Sequence, residues 1–287
     1  MDWFILIFAT AQFVFLLAVL RPLEVMFPAK LSQQFFRPQW FTDFCFYWGH
    51  FLLWNGLVFW CLFAFRDSLD WLVSPEFRAR VAAQPWWLQA VEVVLLSDFT
   101  IYWGHRLQHR VGFLWRFHAV HHSSEHLDWL AAAREHPLDT IYTVSLVNLP
   151  GFAFGFPLET ISSFILFRGI WAVYIHSNVR LPMGPLGLIL GAPELHHWHH
   201  DRARDAGNYG NLTPIMDVIF GTHYCPYYEP VCFGLRESVD RSYVGHMLQP
   251  LLPRMSREDH SPGPNPESVS QSGTSMSPSG FTTSNTT

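Results

Sequence analysis

Charge is scarce in this chain: only 14% of its 287 residues are Asp, Glu, Lys or Arg, well under the quarter usual in soluble domains. Of 18 basic residues Lys30 is the single lysine, and the arginines are spread out rather than gathered in a patch, which leaves nucleic-acid binding without support. Cys45, Cys61, Cys225 and Cys232 form no Cys-x-x-Cys pair, so neither a disulfide framework nor a thiolate metal site is indicated, and they read as small buried apolar residues. No flavin or nicotinamide fingerprint is present either.

What is abundant is aromatic and aliphatic. Aromatic residues make up 17% of the chain, with 13 Trp and 26 Phe, the composition of a membrane protein. Five apolar stretches are long enough to be spans: Trp3 to Leu20, Phe44 to Phe65, Trp86 to Trp103, Leu138 to Phe154 and Leu158 to Ile175. The first lacks the basic start and small-residue cleavage site of a signal peptide and reads as a retained span. Only Gly155-Phe156-Pro157 separates the last two, which reads as a helical hairpin. The expected fold is all-α, a multi-span integral-membrane helical bundle with a cytosolic histidine-rich helical cap. Residues 1–85 hold the first two spans, 86–250 the histidine region with three more, and 251–287 a disordered Ser/Pro/Gly-rich tail.

Sixteen histidines are present, and most fall into a pattern: His105-x-x-x-His109, His118-x-x-His121-His122 and His196-x-x-His199-His200. Residues three and four apart share a helix face, so each cluster offers two or three imidazoles. Eight or more imidazoles are too many for one tetrahedral zinc, and two metals sharing them is the economical reading. Imidazole suits iron, zinc, copper and nickel, so ligand type alone leaves the metal open. Five spans put segment 105–137 and everything after His176 on one side of the membrane, where the clusters and His176 can converge. That side also carries Arg21, Lys30, Arg37, Arg106, Arg110, Arg116, Arg134, Arg180, Arg202 and Arg204, against Arg66, Arg78 and Arg80 on the other, so the histidines are expected to face the cytoplasm.

These residues carry a resemblance. Trp103-Gly-His105-Arg-Leu-Gln-His109, Trp115-Arg-Phe-His118-Ala-Val-His121-His122, His176-Ser-Asn178, Pro193-Glu-Leu-His196-His-Trp-His199-His200-Asp, Asn208-Tyr209-Gly210 and Asp217-Val-Ile-Phe220-Gly221-Thr222 resemble the fatty acid hydroxylase and sterol desaturase superfamily over roughly residues 90 to 223. The resemblance implies a di-iron oxygenase of the endoplasmic reticulum, or of a bacterial inner membrane, that hydroxylates or desaturates a lipid with dioxygen. It implies His105, His109, His118, His121, His122, His176, His196, His199 and His200 as ligands, with His197 the variable position. Some members have a tenth histidine where this chain has Arg180, so that His136 or water would stand in. Electrons would come from a separate b-type cytochrome, or from a ferredoxin with its reductase.

Around these ligands, Asp98 sits seven residues before His105 and is expected to accept an imidazole N–H. Arg168 would pair with Asp98 or Glu92, or snorkel along a cavity. His136 is expected near the site, and Asn178, Asn208 and Asp217 as anchors of its loops. Two other function classes fit parts of the pattern. His122-x-x-Glu125-His126 matches an inverted zinc-peptidase motif but leaves the other clusters unexplained. A metal transporter would need polar residues across the spans.

Overall fold

The computed structural model describes residues 3–69, 71–236 and 241–252; almost all of the 251–287 tail expected from composition lies outside these residues. Everything regular in them is helical, apart from two isolated bridges, Pro28 to Val179 and Asp201 to Phe233. Helix α1 spans Trp3–Met26. Helices α2 (Trp40–Gly49) and α3 (Asn55–Leu69) form one continuous rod through a π-helical turn at His50–Trp54. After the short α4 (Pro75–Ala82), the long α5 (Trp86–Arg110) leads into α6 (Gly112–His122) across a single extended residue, Val111. The hairpin of α7 (Pro137–Phe154) and α8 (Leu158–His176) follows, then α9 (Pro193–His199), α10 (Ile215–Ile219) and α11 (Tyr243–Leu248).

Two of these rods are long and apolar enough on their own to cross a membrane, Trp3–Met26 with mean hydropathy 2.5 and Trp40–Leu69 with 1.4. In α1 the buried residues are Ala9, Leu16, Leu20 and Glu24, a single stripe, while Trp3, Phe4, Ile7, Phe8, Val14 and Phe15 are exposed. A helix apolar all round with only one face packed is suited to lipid on its other faces. The expected spans in α5, α7 and α8 are helices too, but they carry buried polar residues that dilute their hydropathy: Ser97 and Asp98, Asn148, and Arg168.

Polar contacts position the bundle. Helices α5 and α7 lie close enough for Ser97 Oγ to donate to the Val147 carbonyl, Thr100 Oγ1 to Leu146 and Tyr142 Oη to Gly104. A Cβ at Gly104 would overlap the Leu146 side chain, so glycine sets that approach. The carboxylate of Glu24, buried at the end of α1, accepts from the backbone N–H groups of Trp129 and Asn178, tying the first helix to both loops that flank the histidines. Arg37 and Arg134 enclose Asp43, and Arg37 also grips Asp128. This buried network fixes the 123–134 loop against the start of α2.

Candidate metal centre

The histidines converge from four elements: the end of α5, the C-terminal half of α6, the last residue of α8, and α9 with its C-cap His200. Nine of them form two groups. His105, His109, His118, His122 and His199 make one, and His121, His176, His196 and His200 the other; within each group the ring nitrogens lie within 4.8 Å of one another. All nine are buried. The groups abut where the His122 and His200 rings stack with centroids 4.3 Å apart.

Helical geometry explains a partition that spacing alone leaves hidden. At 100° per residue, His118 and His122 are about 40° apart around α6, and His121 lies about 60° to the other side of His118. The i,i+4 pair serves one group and the odd histidine the other. At α9 the arrangement is reversed: the i,i+4 pair His196 and His200 serves the second group and His199 the first. Each His-x-x-His-His motif thus contributes to both groups rather than supplying one.

The outward ring nitrogens decide what the inward ones can do. Nδ1 of His105 lies 2.9 Å from the Tyr209 carbonyl, that of His121 3.2 Å from Arg134, that of His176 2.6 Å from Ala172 and that of His199 2.7 Å from Gly207. His118 Nδ1 lies 3.0 Å from Asp139 Oδ2. Carbonyl and carboxylate oxygens only accept, so in each neutral ring the one N–H sits on Nδ1 and Nε2 presents a bare lone pair. Yet Nε2 of His105 faces Nε2 of His118 at 3.0 Å, and Nε2 of His121 faces Nε2 of His176 at 2.9 Å. Lone pairs set that way repel unless a cation lies between them. Metal–imidazole bonds of about 2.1 Å at right angles place adjacent nitrogens about 3 Å apart, so the residues fit metal ions. Burial and neighbouring imidazoles hold His121, His122, His196 and His200 well below the ordinary histidine range, which leaves them neutral as ligation requires.

One loop supplies two of the acceptors. Gly207 (φ 76°) and Asn208 (φ 53°) take the left-handed conformation, which aims the carbonyls of Gly207 and Tyr209 at His199 and His105. Asn208 clamps the loop by donating to the Leu195 and Tyr224 carbonyls and accepting from Tyr224 N–H. Asp217 accepts from the N–H groups of Tyr209 and Gly210 and from the Thr222 hydroxyl. Asn178 makes a two-way amide contact with the Lys30 backbone. All three therefore sit in loop-holding positions.

Other expectations need correcting. Asp98 accepts from Thr213 N–H at 2.9 Å, not from an imidazole; it braces the chain just beyond Tyr209. The carboxylate on a ligand-type imidazole is Asp139, which sequence reasoning missed although it lies in the first turn of α7; its other oxygen accepts from Gln108. His136 joins neither group: its Nδ1 caps α7 by accepting from Leu138 N–H. Arg180 binds Glu229 and the Tyr227 carbonyl, and His197 turns outward to Glu229 and the Ser177 carbonyl. Arg168 has no carboxylate at ion-pair distance among the described residues, and Glu92 is bonded to Gln84 instead. The peptidase pattern does not assemble, because Glu125 pairs with Arg202 and Arg241 and His126 joins no metal-capable group among the described residues.

Two spaces reach the histidines. A cavity of about 330 Å³ touches His105, His118, His121, His176 and His196 and runs between α1, the π-helical turn, α7 and α8, along Leu16, Phe51, Val144 and Ile165. A separate pocket of about 20 Å³, room for one water, touches His109, His122, His199 and His200 beside Arg202, Arg204, Asp205 and Arg236. One set of rings thus borders apolar space and the other a small charged opening.

Comparison with known proteins agrees with this geometry. Residues 90–222 match the fatty acid hydroxylase family. An ornithine lipid hydroxylase from Rhizobium tropici is 33% identical over 178 residues, 60% of this chain and 54% of that protein. Human alkylglycerol monooxygenase is 31% identical over 215 residues, 74% of this chain and 42% of its own length. A very-long-chain aldehyde decarbonylase from rice, Oryza sativa, is 31% identical over 146 residues, 48% of this chain and 54% of that protein. The chain spans about half the length of these relatives or less. No solved structure matches.

Proposed function

Taking as premise that residues 90–222 are a fatty acid hydroxylase region, we propose that this chain is an integral-membrane, non-haem di-iron oxygenase that hydroxylates or desaturates a lipid. The observation that carries the reading is the double histidine group with inward-facing bare Nε2 atoms, open on one side to an apolar cavity. His105, His109, His118, His122 and His199 would hold one ion, and His121, His176, His196 and His200 the other. Two irons held there would supply dioxygen activation and removal of hydrogen from an unactivated carbon. Hydroxylation consumes the lipid C–H bond, dioxygen, two electrons and two protons, and yields the alcohol and water.

The chain's own residues do the rest. The Tyr209, Gly207, Arg134 and Ala172 carbonyls and Asp139 hold five rings in the metal-binding tautomer. The 330 Å³ cavity, lined in part by Leu16, Phe51, Val144 and Ile165, suits an alkyl chain, a volume at the lower end of ordinary small-molecule sites. The charged opening, where Asp201 and Asp205 lie beside Arg202, Arg204 and Arg236, offers protons a route by way of its carboxylates that avoids the lipid. Electrons come from a separate donor, a b-type cytochrome or a ferredoxin with its reductase. Five spans with the histidines on the cytoplasmic face remain the topology we favour, in the endoplasmic reticulum or a bacterial inner membrane.

Purified protein carrying close to two irons per chain, with dioxygen uptake that depends on added reductant, is the expected result. A single zinc together with peptide cleavage would overturn it. Lipid profiling of cells with and without the protein should reveal a gain of one oxygen or a loss of two hydrogens.

A further inference from the structure

The cavity contains polarity that the metal centre does not use. Arg168 on α8 and Asn148 on α7 both line it, at 6% and 3% exposure. Arg168 Nε–H has no acceptor, and Asn148 Oδ1 has no donor. The Asn148 amide is oriented, since its Nδ2 donates to the Val144 carbonyl at 2.8 Å, so the free atom is the oxygen. Arg168 lies eight residues before His176, and Asn148 nine after Asp139, which puts both about 12 to 14 Å from the histidine end at 1.5 Å per residue. Two buried polar groups on different helices at one depth, neither satisfied by the protein itself, favour a ligand that pairs with both.

We propose that Arg168 and Asn148 form a recognition point for a hydroxyl group carried by the lipid, placed deep in the cavity while another part of the molecule lies at the histidines. The inference rests on the lipid-oxygenase reading for what happens at that second end. A hydroxyl answers both through one oxygen, accepting as Arg168 requires and donating as Asn148 requires. A carboxylate or ester carbonyl answers only the arginine.

The test is equilibrium binding of tritiated 1-hexadecanol to the iron-loaded, full-length protein in detergent, competed by hexadecane, methyl hexadecanoate and hexadecanoate. Wild type should prefer the alcohol to the hydrocarbon by about tenfold, the effect of one or two buried hydrogen bonds, with the ester between them. Arg168→Met and Asn148→Leu should each keep their iron and lose most of that preference; if the arginine variant does not fold, the near-isosteric Asn148→Leu carries the comparison. An alcohol that binds wild type no better than hexadecane, or a preference that survives Asn148→Leu, overturns the proposal and assigns the two atoms to water. Wild-type protein that prefers the alcohol but oxidises no lipid supports the recognition point while sinking the oxygenase reading.

Discussion

Asp139 offers the sharpest test of how the histidines are held. Its Oδ2 accepts from His118 Nδ1 at 3.0 Å and its Oδ1 from Gln108 Nε2 at 2.5 Å, both in buried surroundings. In Asp139→Ala, His118 loses the acceptor that keeps its proton on Nδ1, so the ring can turn or move that proton to Nε2, where it blocks ligation. Removing such an outer partner typically lowers metal affinity 10- to 100-fold, or about 1.4 to 2.7 kcal/mol. Asp139→Asn should be milder. Its amide oxygen can still accept from His118, and Gln108 can turn its own amide to receive the new N–H, so only the charge assistance is lost, roughly half the bond's strength. The expected order of iron retention is therefore wild type, then Asn, then Ala, read by titrating the iron-loaded protein with a chelator and counting iron per chain. Full retention by Asp139→Ala would refute the claim that this carboxylate fixes the His118 tautomer. So would an Asn variant weaker than the Ala variant.

Three further outcomes are expected. His121→Ala and His199→Ala should each abolish metal loading and lipid oxidation, whereas His260→Ala should leave both unchanged; full iron content in the first two would refute the ligand assignment. Gly207→Ala forces a Cβ onto the Thr222 carbonyl at φ 76°, so it should cost upwards of about 1 kcal/mol and loosen the His199 acceptor, measurable as a lower Tm together with lower iron content. Glu135, raised from its ordinary range to about 7 by burial and then by Asp139, binds a proton in the folded protein that the unfolded chain has already released. Stability should therefore fall as pH rises from about 4.5 to 7, by about 3 kcal/mol over that window. Glu135→Gln should remove this slope, and an unchanged Tm-against-pH profile in that variant would count against it.

The helices and the convergence of the histidines were legible because apolar runs and i,i+4 spacing are local signals. Less so was hydropathy where function intrudes: Asp98, Asn148 and Arg168 lower the apolar character of α5, α7 and α8, so that among the described residues only Trp3–Met26 and Trp40–Leu69 pass as membrane helices by length and composition alone. Spacing put the members of each motif on one helix face, whereas the third dimension deals them to two groups. The acceptors were the hardest to foresee. Four of the five are backbone carbonyls, which have no letter in the sequence, and the fifth, Asp139, lies 21 positions from His118. Asp98 looked equally suitable by register on α5, but a loop N–H reaches it first.

Because α6 and α9 each give histidines to both groups, filling one half of the centre helps to order the other. An ion bound by His121, His176, His196 and His200 would already hold α6 and α9 in place, and the ordering entropy of His118, His122 and His199 would be largely met before a second ion arrived. Uptake should then be cooperative, passing from empty to doubly loaded with little half-filled protein between. Such a filling law spares the cell a species holding a single redox-active metal, able to bind dioxygen but lacking the neighbour needed to finish the reaction.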